Sequence, residues 1–139
     1  MAGPLSCQDV PGDDGGRSSE RETTMGEAER TIVNIFEAAF DAYDMEGPVQ
    51  PEMSVLRVSY SDATRRGIYV MRMEPGAVTI PHTHQCMEEF LILEGELIES
   101  DGTVLRKGDV TSYRPGTRHN SRTETGCLLV GFDWDRPGT

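Results

Sequence analysis

The feature that most constrains this chain is a hydrophobic period of two residues, which begins after Pro51 and continues almost to the end of the sequence. Such alternation places every second side chain on one face of an extended strand. Gly, Pro and Asp divide the pattern into short runs, as they do at tight turns. The runs are Met53–Tyr60, Gly67–Met73, Phe90–Leu93, Leu97–Ser100, Thr103–Arg106, Val110–Tyr113 and Cys127–Phe132. The sequence therefore predicts an all-β fold, an antiparallel sandwich or barrel.

The N-terminal third of the chain follows different patterns. Residues 1–24 contain five carboxylates, two arginines and few large apolar side chains, which predicts a disordered acidic tail. From Glu27 to Asp44 apolar residues recur every three or four positions, the spacing of an amphipathic helix. Thr24 and Glu27 form a capping box at its start. We therefore expect a tail over 1–24, a helix with a linker over 25–50, and a barrel over 51–139.

Size, charge and cysteine content exclude several classes of protein. A chain of 139 residues fits one domain, and its net charge of -11 would repel a nucleic-acid backbone. Its apolar runs are too short to span a membrane. Three cysteines cannot all pair, and the segment after Met1 lacks the pattern of a signal peptide, so we expect a cytoplasmic protein. Met25 is a second candidate for the native start.

The three histidines of the chain point to a metal site. His82 and His84 are separated by one residue in a strand-like stretch, so both imidazoles face the same side. Glu88 follows after a short bend, and an antiparallel barrel can bring His119 next to this pair. Three imidazoles and one carboxylate suit a divalent metal ion. An exposed or merely hydrogen-bonded histidine pair is the alternative, since short motifs often match by chance.

The glycines around the first two histidines carry a resemblance to a known family. Gly76, His82, His84, Glu88 and Gly95 match the spacing of the first motif of the cupin superfamily. The sequence around this motif is especially similar to the cupin domains of ChrR-type anti-sigma factors, and it also resembles small diketone-dioxygenase-like cupins. The resemblance implies a single antiparallel jelly-roll barrel that holds one metal ion.

A second motif resembles the one that completes the cupin pattern. It runs from Gly108 to Gly116 and ends at His119. Arg114 stands where the family usually has proline, and Thr123 stands at the position of its closing asparagine, so the turn can be reshaped. The ligand positions are unaffected. The resemblance thus assigns His82, His84, Glu88 and His119 as metal ligands.

Several further residues are expected near the ion. Phe90 and Ile92 share the parity of Glu88 and should line the barrel beside the metal. The other expected pocket-lining residues are Tyr69, Met71 and Met73, which share one face of their strand. An open site of roughly 300 Å³ or more with these apolar walls would fit an enzyme, whereas a closed tetrahedral site would fit a sensor or a structural site.

Two residues are weaker candidates for the site. Cys86 has the parity of the ligands and would favour zinc as a thiolate, but a free cysteine is more often a small buried apolar residue. Arg118 is a cation near the expected mouth of the barrel, with a solvated side chain as the alternative.

The ligand set would attract a small anionic or enolisable molecule, and our leading hypothesis is a metal-dependent enzyme that acts on one. One divalent ion with three neutral imidazoles and a carboxylate keeps a net charge near +1 and leaves coordination positions open. Fe²⁺ is favoured, which predicts a dioxygenase-like oxidoreductase, while Zn²⁺, Mn²⁺ or Ni²⁺ remain alternatives. A zinc or nickel lyase, isomerase or cyclase and a non-catalytic metal or small-ligand sensor are the other readings. We also expect a homodimer, because the apolar stripe of the predicted helix needs a surface to cover, with closure of the barrel's own open end as the alternative.

Overall fold

The computed structural model describes residues 29–138, which form ten antiparallel strands, most of them within the part of the chain that has the two-residue period. The strands are β1 Asp41–Tyr43, β2 Gln50–Arg57, β3 Gly67–Met73, β4 His82–Thr83, β5 Met87–Glu99, β6 Val104–Arg106, β7 Val110–Tyr113, β8 Arg118–His119, β9 Ser121–Arg122 and β10 Cys127–Trp134. The predicted all-β jelly-roll class is confirmed.

Strand β5 organises the sheet. The main sheet runs in the order β1-β2-β3-β10-β5-β6, and β7 and β9 also pair with β5. The first half of β5 pairs with β10 and β7, and its second half pairs with β6 and β9. A separate two-stranded sheet of β4 and β8 sets His82 opposite His119. Residues 37 positions apart in the sequence therefore face each other at one end of the barrel.

The core lies between the strands of this curled sheet. Many of its most deeply buried side chains come from β2, β3, β5 and β10, and the following each expose 3% or less of their surface: Met53, Val55, Val70, Met73, Ile92, Leu97 and Leu129. Tyr69 needs the glycine at position 131, because a Cβ there would lie 2.3 Å from the Tyr69 ring carbon Cζ. This close approach lets an aromatic side chain fill the barrel between β3 and β10.

A bulge in β5 changes which residues point inward. The register of β5 against β10 slips by one residue at Leu93. Upstream of the bulge the residues of β5 that pack into the core are the even-numbered Phe90 and Ile92. Downstream, Leu97 is in the core and Glu99 is buried beside His119. The bulge therefore directs a carboxylate into the barrel.

The helix predicted from Glu27 to Asp44 does not form over residues 29–44. A single turn is present, in which the Ala38 N–H donates to the Asn34 carbonyl, 2.9 Å away. The segment then becomes extended and ends as β1, which pairs with β2. This part of the prediction was wrong.

The physical reason is that the N-terminal part of the apolar stripe has no covering surface among the described residues. Ile32 is 78% exposed and Phe36 is 67% exposed, so burial does not stabilise a helix here. The Asn34 side chain also accepts a hydrogen bond from the Phe36 N–H at 2.9 Å, a local alternative to helical bonding.

Three predictions lie outside the described residues: the disordered tail over 1–24, the alternative start at Met25, and the beginning of the helix. Among residues 29–138 the structure has no helix long and apolar enough to cross a membrane.

Candidate metal centre

The four residues expected to bind metal meet at one end of the barrel. His82 and His119 are paired across β4 and β8, His84 follows β4, and Glu88 lies near the start of β5. One potential ligand atom from each residue lies within 4.8 Å of all the others. The structure thus brings together three imidazoles and one carboxylate, which is a donor set for a divalent ion.

The three imidazole rings surround a common point. Their ring centroids are 4.9 Å apart for His82 and His84, 4.8 Å for His82 and His119, and 4.6 Å for His84 and His119. Glu88 closes the fourth side, with its Oε2 3.2 Å from His84 Nδ1 and its Oε1 3.8 Å from His119 Nε2.

The hydrogen bonding of the rings fits a metal ion. His84 Nε2 and His119 Nε2 are both buried and have no hydrogen-bond partner. A buried nitrogen without a partner is costly unless an ion or another group takes its lone pair. In His82, Nδ1 lies 2.9 Å from the Ile80 carbonyl, so the proton sits on Nδ1 and Nε2 keeps a free lone pair.

A buried carboxylate holds His119 in place. Glu99 exposes only 4% of its side chain and lies 2.5 Å from His119 Nδ1. Its oxygens also accept hydrogen bonds from the Tyr113 hydroxyl at 2.7 Å and the Ser121 hydroxyl at 2.5 Å. Burial opposes the ionised form, but these three hydrogen bonds outweigh it and lower the pKa of Glu99. An ionised Glu99 fixes the proton on His119 Nδ1 and turns Nε2 toward the cluster.

Tyr113 connects two of the imidazoles to this network. Its ring stacks on His84 at 5.4 Å and packs against His119 at 4.5 Å, measured between centroids. Because the same residue donates its hydroxyl proton to Glu99, both rings are restrained from one side.

Charges at the site favour a cation. Burial lowers the pKa of His84, but its hydrogen bond with the Glu88 carboxylate and the charge of Glu88 raise it above the usual value. Asp133, opposite Glu88 in the pairing of β10 with β5, has its pKa raised to about 7 by burial and then by the charge of Glu88. Two acidic groups so close together are stabilised by a bound metal ion.

Two cavities meet at the cluster. A mouth of about 320 Å³ opens beside His82, His84 and Glu88. An inner cavity of about 40 Å³ is bounded by His82, Glu88 and His119. Because His82 and Glu88 line both cavities, the four residues lie between the interior of the barrel and its entrance.

The apolar residues expected around the site are divided between the cavity and the core. Tyr69, Met71 and Phe90 line the inner cavity. Ile92 and Met73 instead pack into the core, and neither lines the inner cavity or the mouth. The larger space therefore lacks the apolar walls that we expected.

The walls of the mouth are polar because loops and strand ends, rather than strand centres, surround it. Besides the three candidate ligands, its lining consists of Glu46, Arg65, Arg66, Thr83, Gln85, Cys86 and Asp133.

Neither of the weaker candidates belongs to the four-residue cluster. Cys86 lines the mouth as a buried free thiol whose pKa is raised, first by burial and then by the charge of Asp133. Arg118 is exposed on β8 and lines neither cavity.

Sequence reasoning missed Glu99, Tyr113, Ser121 and Asp133. Tyr113 ends a predicted strand and Asp133 directly follows one, and at such positions alternation alone does not show which way a side chain turns. Glu99 has the same parity as Leu97. The strand therefore predicts an inward carboxylate at this position once the bulge in β5 is known.

Fold and site together define a cupin: a curled antiparallel barrel with a His-x-His pair, a glutamate and a distant histidine gathered inside one end. More particularly, the chain belongs to the family of ChrR cupin-like domains, whose model matches residues 37–135. No curated protein sequence matches the chain.

Solved structures with this fold have diverse functions. An acetylacetone dioxygenase from Acinetobacter johnsonii is 12% identical, with a TM-score of 0.63 over 78% of this chain and 76% of that one. KdgF from Halomonas sp. is 17% identical, with a TM-score of 0.56 over 80% of this chain and 97% of that one.

A chain from the complex of Rhodobacter sphaeroides SigE with the anti-sigma ChrR is also similar. It is 12% identical, with a TM-score of 0.59 over 73% of this chain. The match covers 52% of that chain, so this protein spans about half of its length. At these identities the likeness concerns the fold.

Proposed function

We propose that this cupin binds one divalent metal ion through His82, His84, Glu88 and His119, and that it is a dioxygenase-like enzyme for a small anionic or enolisable substrate. Fe²⁺ is the ion we favour, with Zn²⁺, Mn²⁺ and Ni²⁺ as alternatives. Imidazole and carboxylate donors suit all four ions. When bound, Fe²⁺ would supply the capacity to bind and activate dioxygen beside a chelated substrate.

The observation that carries the proposal is the mouth of about 320 Å³, which reaches three of the four candidate ligands from solvent. A structural metal site is closed by its own ligands, whereas a site that acts on a small molecule needs an approach to the ion. This volume suits a small molecule.

The residues around the cluster have separable roles in this proposal. Glu99 and the Ile80 carbonyl hold the rings of His119 and His82 by their Nδ1 atoms, which keeps both Nε2 atoms available. The apolar side chains of Tyr69 and Phe90 limit water on the inner side. The polar mouth admits a charged molecule on the outer side.

A matched pair of variants tests the proposal. Glu88→Gln and Glu89→Gln make the same change at neighbouring positions, but Glu89 lies outside the cluster and accepts a hydrogen bond from Trp134 Nε1 at 2.7 Å. The proteins are purified without oxygen and loaded with Fe²⁺, and their metal content is measured. Oxygen uptake is then followed across a panel of diketones and phenolic acids.

We expect about one ion per wild-type chain, substrate-dependent oxygen uptake, and loss of most metal and activity in Glu88→Gln but not in Glu89→Gln. Equal metal content in the two variants would contradict the metal site. Bound metal with no oxygen uptake on any compound would contradict the dioxygenase.

A second candidate function is a non-catalytic metal or small-ligand sensor. The match to the ChrR cupin-like family favours it, and the complex of ChrR with SigE makes a protein partner the corresponding expectation. A sensor would bind metal and ligand and release the ligand unchanged.

A zinc or nickel lyase, isomerase or cyclase would convert its substrate without consuming oxygen.

A further inference from the structure

Two consecutive arginines stand at the mouth of the candidate metal centre. Arg65 and Arg66 belong to the hairpin between β2 and β3, and both line the mouth together with His82, His84 and Glu88. The hairpin is closed by a bridge between Ser61 and Arg66. It therefore brings guanidinium groups to the space through which a ligand would reach the ion.

The guanidinium of Arg66 is held by other groups of the protein. Its Nε and Nη2 both lie 2.9 Å from Asp135 Oδ1, and its Nη1 donates to the carbonyls of Thr64 and Arg65 at 3.2 Å. All three nitrogens of the guanidinium thus have partners within the protein.

The guanidinium of Arg65 has fewer of its N–H donors engaged within the protein. Its Nη2 donates to Glu46 Oε1 at 3.2 Å and lies 3.4 Å from the Met45 carbonyl, and the guanidinium also forms a hydrogen bond with Tyr60. The side chain is 54% exposed. A guanidinium has five N–H donors, so Arg65 retains donors for an anion in the mouth.

The backbone of Arg65 is held in an unusual conformation. Its φ is 57°, the only positive φ among non-glycine residues within 29–138. The Arg65 N–H donates to the Ser61 carbonyl at 2.7 Å, which fixes the turn. A left-handed arginine is energetically costly, and such residues cluster at sites that bind ligands.

The charge of the mouth changes sign when the ion is present. Its lining contains three carboxylates, from Glu46, Glu88 and Asp133, and the two arginines. With these carboxylates ionised, the five charged side chains of the lining sum to -1, and a divalent ion would raise that sum to +1; Asp135, which pairs with Arg66, lies outside the lining. A metal-loaded mouth therefore attracts an anion, and Arg65 supplies the donors that fit a carboxylate.

We infer that Arg65 binds the carboxylate of a small ligand whose carbonyl or enolate oxygen reaches the metal ion. The inference rests on the proposed metal centre and narrows its substrate class to enolisable carboxylic acids, as opposed to neutral diketones.

The test compares two ligands that differ by one group. Acetylacetone and acetylpyruvate share a diketone, but acetylpyruvate carries a carboxylate in place of a terminal methyl group. Each is titrated into Co²⁺-loaded protein while the visible absorption bands of the ion are followed. Arg65→Met removes the guanidinium, and Arg122→Met makes the same change at a distant arginine paired with Glu124.

In the wild type we expect acetylpyruvate to bind about tenfold or more tightly than acetylacetone, since charge-assisted hydrogen bonds are the stronger class. Arg65→Met should remove most of that preference and leave acetylacetone binding within about twofold, and Arg122→Met should change neither. Should Arg65→Met fail to fold, Arg65→Gly deletes the side chain at a residue type that accepts a positive φ, and the same loss is expected.

Equal affinity for the two ligands in the wild type would overturn the inference, as would an equal loss for both ligands in the Arg65 variant. Either result leaves the metal centre intact, because the cobalt bands report it independently. Absence of cobalt bands from the wild type would overturn the metal centre and, with it, this inference.

Discussion

Glu99 shows how one residue behind a candidate metal ligand can define the site. Its carboxylate accepts hydrogen bonds from His119, Tyr113 and Ser121, and it is the buried acid that holds His119 by Nδ1. The direction of the His119 lone pair therefore depends on a group outside the ligand set.

Replacing this carboxylate by an amide should weaken metal binding while the fold persists. We predict that Glu99→Gln lowers metal affinity by about 10–100-fold, the range typical of outer groups that orient a ligand histidine. Competition with a chromogenic chelator measures the affinity. Glu94→Gln, an exposed glutamate on the same strand, serves as the control and should keep wild-type affinity. Unchanged affinity in a folded Glu99→Gln protein would show that the ring needs no such support.

Part of the site was predictable residue by residue. The spacing of His82, His84 and Glu88, read with the cupin pattern, predicted the group that the structure gathers with His119. Glu99 and Asp133 were not predicted, because their directions depend on a bulge and on a strand end that no local pattern marks.

At the scale of elements, the packing of β3 against β10 depends on one glycine, Gly131. A methyl group at Gly131 would come within 2.3 Å of the Tyr69 ring, and Tyr69 is a buried wall of the inner cavity. The pairing of Gly131 with Tyr69 thus joins the stability of the sheet to the shape of the site.

We predict that Gly131→Ala destabilises the protein by about 1–3 kcal/mol, the usual cost of overpacking a core. Urea denaturation measures the change in the free energy of unfolding. In a Tyr69→Ala background the same substitution should cost far less, because the clash is gone. A loss of the same size in both backgrounds would place the cause outside this contact.

The elements also show where sequence patterns succeed. Alternation predicted β3 with the same bounds, Gly67–Met73, because a half-buried strand imposes its period directly. The helical period before Asp44 was misleading over the described residues, since Ile32 and Phe36 have no surface to pack against. A period predicts an element only where tertiary packing uses the stripe.

At the scale of the whole molecule, exposed apolar side chains near the N-terminal end of the described chain support our prediction of a homodimer. Ile32, Val33 and Phe36 are exposed within a short stretch. Contiguous apolar surface of this kind is a frequent site of association.

We expect light scattering of the wild type to give the mass of a dimer, and Phe36→Asp to shift it toward the monomer. Glu37→Gln, which changes a neighbouring side chain without adding a charge to the apolar surface, should leave the mass unchanged. A monomer in the wild type at every concentration tested would refute the dimer and leave the metal centre unaffected.

The proposed function depends above all on whether His82, His84, Glu88 and His119 hold one divalent ion. Anomalous X-ray diffraction from crystals of the Fe²⁺-loaded protein, recorded on both sides of the iron absorption edge, tests it most directly. We predict one strong anomalous peak inside the barrel, about 2.0–2.3 Å from one atom of each of the four residues. Its absence from a loaded crystal, or a peak bound by other residues, would contradict the proposed metal site.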